Sequence, residues 1–157
     1  MKIREATVSD VPAILGLIRE LAEYEKLTHA CVATEGLLRE HMFGKDRAAE
    51  ALVAEVDGAV VGYAIWFKTF STFLAKPGIY LEDLYVQPAH RKKGLGKGML
   101  RELARTAVRR GYGRVEWSVL KWNTPSIGLY KSLGAVAMDE WDVMRLTGEP
   151  LEKFGAS

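Results

Sequence analysis

The spacing of apolar positions changes period several times along the chain, and each change marks an element. Val11, Ile14, Leu15, Ile18, Leu21 and Ala22 recur at helical spacing behind Ser9, which predicts a capped amphipathic helix with Pro12 in its first turn. Thr34 is the expected cap of a second, shorter helix through Leu37, Leu38 and Met42. The pattern then turns strand-like. Residues 51–56 and 59–67 read as strands joined by Asp57-Gly58, a two-residue hairpin signal. A loop containing Pro77-Gly78 leads to a third strand over residues 79–86, ended by Gln87-Pro88. Residues 94–110 carry the apolar stripe Met99, Leu100, Leu103, Ala104, Ala107 and Val108, a helix stopped by Gly111 and Gly113. A strand over 114–122, a short helix over 125–133 and a closing strand over 136–146 complete the chain. With a strand ahead of the first helix, the order is β-α-α-β-β-β-α-β-α-β. Hairpins followed by alternating strands and helices predict an α/β fold with a mixed sheet, antiparallel first and locally parallel later.

Composition narrows the function without naming it. The 157 residues suit one domain with its own core, and 48% apolar with 27% charged residues is a globular balance. A net charge of +2 is too small for a polyanion-binding protein, so no nucleic-acid partner is expected. Positive residues cluster locally at Arg91, Lys92 and Lys93, which suits one small anionic ligand, and again at Arg105, Arg109 and Arg110, where a solvated helix face serves as well. Cys31 is the only cysteine and there are three histidines, so neither a disulfide nor a His/Cys metal site is expected. The longest apolar stretch, 59–67, is far short of the roughly 20 residues of a membrane helix. The charged start Met1-Lys2-Ile3-Arg4-Glu5 is unlike an export signal, so the cytoplasm is the expected location and no membrane partner is expected.

The segment Arg91-Lys92-Lys93-Gly94-Leu95-Gly96 lies between a strand and a helix. Such a junction gathers unpaired backbone N–H groups and the positive end of the helix dipole at one point. Gly94 and Gly96 let an anion approach the main chain, and Lys92, Lys93 and Lys97 add charge. Dinucleotide and P-loop motifs do not fit: the spacing is Gly94-x-Gly96-x-Gly98, and Lys97 is followed by Gly98 instead of Ser or Thr. Taken alone, the turn suits phosphate binding and a plain tight turn about equally.

Two patterns together decide between those readings. Arg91-x-x-Gly94-x-Gly96, following the strand Tyr80-Leu81-Glu82-Asp83-Leu84-Tyr85-Val86, resembles the first signature of the GNAT superfamily of N-acetyltransferases. Asn123-Thr124-Pro125-Ser126-Ile127-Gly128-Leu129-Tyr130-Lys131-Ser132-Leu133-Gly134-Ala135 resembles its second, at the matching separation. Ile3-Arg4-x-Ala6-Thr7 and the first helix also fit, so the resemblance spans the chain. Leu21-Ala22-Glu23-Tyr24-Glu25, Tyr80-Leu81-Glu82-Asp83 and Trp122-Asn123 make it most similar to the diamine (spermidine/spermine) N-acetyltransferases. The resemblance implies one acetyltransferase domain over 1–157, with a mostly antiparallel twisted sheet, a splayed parallel strand pair and flanking helices. It implies acetyl-CoA as co-substrate and no metal. The expected reaction is direct attack by a small amine (a diamine, polyamine or thialysine-like amino acid) in a ternary complex. It further implies a homodimer in which the C-terminal strand completes the partner's site.

The family's roles carry over by position. Leu84, Tyr85 and Val86 would lend backbone to the pantetheine arm, and Lys92, Lys93, Gly94, Leu95, Gly96 and Lys97 would surround the pyrophosphate. Asn123 and Ser126 would approach the coenzyme from the next strand–helix junction. A primary ammonium of pKa about 10 must lose a proton before it attacks, and Glu82 is the candidate base. Asp83 points to the opposite face of an ideal strand, unless a bulge intervenes. Tyr130 is the candidate acid for the departing thiolate. A cationic substrate calls for carboxylates and apolar walls, which Tyr24, Glu25, Glu82, Trp117 and Asp142 would supply. Lys26-Leu27-Thr28-His29 is more basic than is usual in polyamine enzymes, which leaves a shorter diamine or an amino acid open. Acetylation of a peptide amine and a catalytically silent acyl-CoA sensor are the rival readings. The Phe- and Ser-rich segment 69–77 would wall a peptide groove or close it.

Overall fold

Strand pairing follows chain order. In the computed structural model, which describes Met1 through Ser157, five strands form one sheet in the order β1 (Lys2–Glu5), β2 (Glu50–Val56), β3 (Ala59–Ser71), β4 (Lys76–Val86) and β5 (Val115–Trp117). The first three junctions are antiparallel and the last, β4 with β5, is parallel. This is the mixed sheet expected from the order of elements. Two compact units follow one another, Met1–Ser118 with the whole sheet and Val119–Ser157.

Strand alternation assigns the two faces of the sheet. Ala51, Val53, Tyr63, Ile65 and Tyr85 share one core cluster with Ile14 and Leu17 of α1 (Val11–Tyr24) and Met42 of α2 (Glu35–Phe43). The alternate positions Leu52, Ala54, Ala64, Trp66 and Leu81 are buried on the other face, that of α3 (Leu95–Arg110), whose buried residues are Leu95, Met99, Leu100, Leu103, Thr106 and Ala107. The α3 helix lies close to the sheet: a Cβ on Gly98 would stand 2.7 Å from Ile3 Cδ1.

Local chemistry explains several boundaries. Asp57 and Gly58 both take positive φ, 50° and 79°, the backbone of a tight hairpin turn between β2 and β3. Thr34 caps α2, its hydroxyl accepting from the Leu37 N–H at 3.2 Å. The cap expected of Ser9 lies elsewhere. Asp10 precedes α1, and its carboxylate accepts the Thr7 N–H at 2.7 Å, because a short helical turn over Val8–Asp10 comes first. The Arg4 guanidinium grips the same carboxylate at 2.7 and 2.8 Å. Those hydrogen bonds outweigh burial and, with the Thr7 N–H, hold the Asp10 carboxyl at about 2. Arg4 also reaches Glu55 at 2.8 Å, so one cation ties β1, β2 and the start of α1 together.

Three expectations are corrected. Residues 76–78 form no loop; β3 and β4 continue as a long hairpin, with Phe70 paired to Pro77 and Thr69 to Gly78. The strand expected over 114–122 shrinks to Val115–Trp117, where parallel pairing with β4 ends at Leu81. The closing strand over 136–146 does not form. An apolar run becomes a strand only where another backbone offers ladder partners, and this segment makes no ladder. Beyond α4 (Thr124–Ser132), the chain ends in a helix not expected from its pattern, α5 (Gly148–Gly155).

Candidate active site

The site's geometry begins with a defect in the β3–β4 ladder. Ile65 pairs with Asp83 and Trp66 with Leu81, so Glu82 has no residue opposite it. This one-residue bulge inverts the alternation. Leu81 lies on the α3 face, yet Asp83, two residues later, lies with Tyr63, Ile65 and Tyr85 on the α1 face. Glu82 itself is exposed. The bulge falls where β5 stops pairing, so residues 82–86 keep β3 on one side and have no strand on the other. Apart from the Val86 carbonyl, which accepts from Arg91 Nε at 2.8 Å, that free edge offers backbone N–H and C=O groups to an extended ligand. Leu84 and Val86 are half-buried on the α3 side, while Tyr85 is buried toward α1.

An acidic cluster lies on the α1 face. The fully buried Tyr63 donates its O–H to Asp83 Oδ2 at 3.0 Å. Burial raises the Asp83 carboxyl above the usual carboxylate range; the Tyr63 hydrogen bond opposes this and the charge of Glu82 adds to it. Glu25, half-buried just past the end of α1, is raised by burial and then by Asp83. The Tyr63 phenol is pushed far up, by burial first and by Asp83 next. Two carboxylates that resist ionisation together form a place that gains from a cation. Tyr63 is a functional candidate that sequence reasoning missed, and Asp83 entered it only as the neighbour of Glu82 whose face a bulge would change. Nothing local reveals the bulge that turns Asp83 inward, because it depends on which residue of β3 lies opposite.

The other acceptor candidates are distributed differently. Tyr24 is the last residue of α1, next to Glu25. Trp117 pairs with Leu81 and shares its face, away from Glu25 and Asp83. Asp142 belongs to the second unit and is exposed.

After β4, the turn at 91–94 leads into α3. Gly94 precedes the helix with φ 85° and Lys92 also has positive φ, 62°. The N–H groups of Leu95, Gly96 and Lys97 lie in the first helical turn without intrahelical partners. Nothing stands within 4 Å of where a Cβ on Gly94 or Gly96 would project, so the approach to the amides is open. Lys92, Lys93 and Lys97 are exposed around it. Convergent amides, lysines and the dipole of a helix from Leu95 to Arg110 suit a diphosphate, and the free β4 edge suits an extended arm. In the second unit, Asn123 precedes α4, Ser126 lies half-buried in its first turn and Tyr130 is half-buried farther along.

The parallel pair β4–β5 thus parts at a bulge, and the open N-terminus of α3 follows directly after β4. The chain belongs to the acetyltransferase (GNAT) family, whose pattern matches residues 17–135. It is 39% identical to the thialysine N-epsilon-acetyltransferase of Bos taurus, over 97% of this chain and 95% of that one. It is 33% identical to an L-ornithine N5-acetyltransferase of Arabidopsis thaliana, over 96% of this chain and 86% of that protein. Among solved structures, an integron cassette protein from the mobile metagenome of V. cholerae superposes with a TM-score of 0.83 and 24% identity, covering 99% of this chain and 98% of that one, a likeness of fold. The chain is an N-acetyltransferase of the kind expected from its two signatures. No helix is long and apolar enough to cross a membrane.

Proposed function

We propose that this enzyme transfers an acetyl group from acetyl-CoA to a primary amine of a small cationic molecule, a diamine or an amino acid with a side-chain amine. The observation that carries this reading is the half-buried acid pair: Glu25 and Asp83 sit on the α1 face of β4, with Tyr63 donating to Asp83. The thialysine and ornithine relatives support an amino-acid substrate. Acetyl-CoA, when bound, supplies an activated thioester. The amides of Gly94 to Lys97 and the lysines beside them hold its diphosphate, residues 84–86 orient its arm, and Asn123 and Ser126 add contacts from α4. Glu82 at the bulge accepts the proton that the ammonium sheds, directly or through water, and Tyr130 holds a proton for the leaving thiol. Attack within a ternary complex needs no residue to carry the acetyl group.

A panel of diamines, polyamines, ornithine, thialysine and peptides with acetyl-CoA, followed by release of free thiol, tests the reading. Turnover on one or more of the small amines and none on peptides is expected. Turnover confined to peptides, or coenzyme binding with no turnover, overturns it.

The acid pair gives a pH dependence. A cationic amine is held by ionised carboxylates, and both carboxyls titrate above their usual range. The amine KM should therefore rise as pH falls from neutrality into the raised titration range of the pair. Asp83→Asn should raise KM about tenfold at neutral pH and flatten that rise. A KM unchanged in the variant removes Asp83 from the acceptor site. Stability moves the other way. A folded-state pKa above the unfolded one means that stability is lost as pH rises through the raised value, so Asp83 is a net cost once ionised. Asp83→Asn, whose amide oxygen still accepts from Tyr63, should melt no lower than the parent at neutral pH.

The second unit supports a homodimer. Val136, Met138, Trp141, Val143 and Met144 are all at least 60% exposed along a segment without ladder partners. Such an apolar, strand-competent run suits the backbone of a second copy. Sedimentation equilibrium should give twice the chain mass of 17.5 kDa. A single-chain mass at every concentration rejects the dimer.

A further inference from the structure

Arg91 opens the phosphate turn, yet its side chain is engaged elsewhere. Its Nε donates to the Val86 carbonyl at 2.8 Å, back on β4. Its guanidinium carbon lies 5.2 Å from the ring centroid of Tyr24 and 5.4 Å from that of Tyr85. One planar cation thus bridges the last residue of α1 and the coenzyme strand, both contacts within cation–π range. A second link runs alongside it. The Gln87 amide donates to Glu20 at 3.1 Å, and Glu20, one helical turn before Tyr24, also bears on the Tyr85 hydroxyl. The residue after Tyr24 is Glu25, half of the acid pair. Turn, strand edge and acceptor helix therefore meet on one guanidinium.

We propose that Arg91 is a positioning residue that couples coenzyme binding to amine binding. Ordering of the 91–94 backbone around a diphosphate fixes the root of the side chain. The stacked guanidinium then holds Tyr24 and the end of α1, which keeps Glu25 beside Asp83. By linkage the coupling runs both ways, so loosening Tyr24 weakens the turn's hold on the coenzyme. This inference rests on the coenzyme site proposed above. A residue that only lent its charge to the phosphates would be replaceable by lysine, whereas a stacked, Nε-donating bridge is not.

Calorimetry with coenzyme A alone provides the test, and wild-type binding checks the underlying site separately. Tyr24→Leu, outside the turn, is expected to weaken coenzyme A about fivefold, and Tyr24→Phe, which keeps the ring, to leave it unchanged. Arg91→Lys should lose as much affinity as Arg91→Ala. Adding Tyr24→Leu to Arg91→Ala should cost little more than Arg91→Ala alone, because both remove the same contact. In the amine assay, Arg91→Ala should raise the amine KM at saturating acetyl-CoA about fivefold with a smaller change in kcat. If wild type binds coenzyme A but Tyr24→Leu binds equally well, or if Arg91→Lys keeps full affinity, or if the two losses simply add, the coupling is refuted while the site stands. If wild type does not bind coenzyme A, the site assignment itself fails.

Discussion

Gly94→Glu is expected to weaken coenzyme A binding by roughly a hundredfold, about 2.7 kcal/mol, in a calorimetric titration. Two effects combine. At φ 85° a side chain costs about 1–2 kcal/mol of backbone strain, some of which shifts the turn away from its binding shape. The carboxylate also enters the region where three first-turn amides and three lysines converge, and there it competes with the diphosphate for the same charge. Gly94→Ala isolates the first effect and should lose about fivefold. The space around Gly94 is open, so neither variant creates a clash in the core. Coenzyme A affinity unchanged in Gly94→Glu would remove the turn from the site.

Tyr130→Phe should lower turnover at saturating substrates by tenfold or more, at least about 1.4 kcal/mol of transition-state stabilisation. A phenol of ordinary pKa about 10 holds its proton at neutral pH and can pass it to sulfur as negative charge develops there. Phenylalanine keeps the ring and the helix and removes the hydroxyl that would supply the proton. Coenzyme A affinity should stay within about twofold, which separates loss of an acid from loss of binding. Equal turnover in steady state would exclude Tyr130 as the acid. A matching rise in the coenzyme dissociation constant would assign it to binding instead.

Much of the fold can be read along the chain because its signals are local. The apolar stripe of α3, the Asp57-Gly58 turn, the Thr34 cap and the helix after Asn123 each depend on residues a few positions apart. The glycine turn ahead of α3 is local in the same sense, since a positive φ and a helix N-terminus suffice to build it. Readings that depended on a distant partner fared less well. Pro77 and Gly78 look like a loop in sequence, but opposite Phe70 and Thr69 they lie within a strand. Residues 136–146 look like a strand, but pairing requires a backbone beside them. Ser9 resembled a cap because the Arg4–Asp10 pairing, which fixes the start of α1, links separate elements.

By itself, the sequence determined the order and type of most elements, the glycine turn ahead of α3 and the pair of signatures that places the chain among acetyltransferases. Only the tertiary structure decided that Glu82 is the extra residue of a bulge, that Asp83 therefore turns inward to Tyr63 and Glu25, and that the Arg91 guanidinium lies over the rings of both Tyr24 and Tyr85. The physical reason is register. A strand's own residues fix its alternation, but the face each side chain reaches depends on the partner strand opposite, and one unpaired residue reverses every face beyond it.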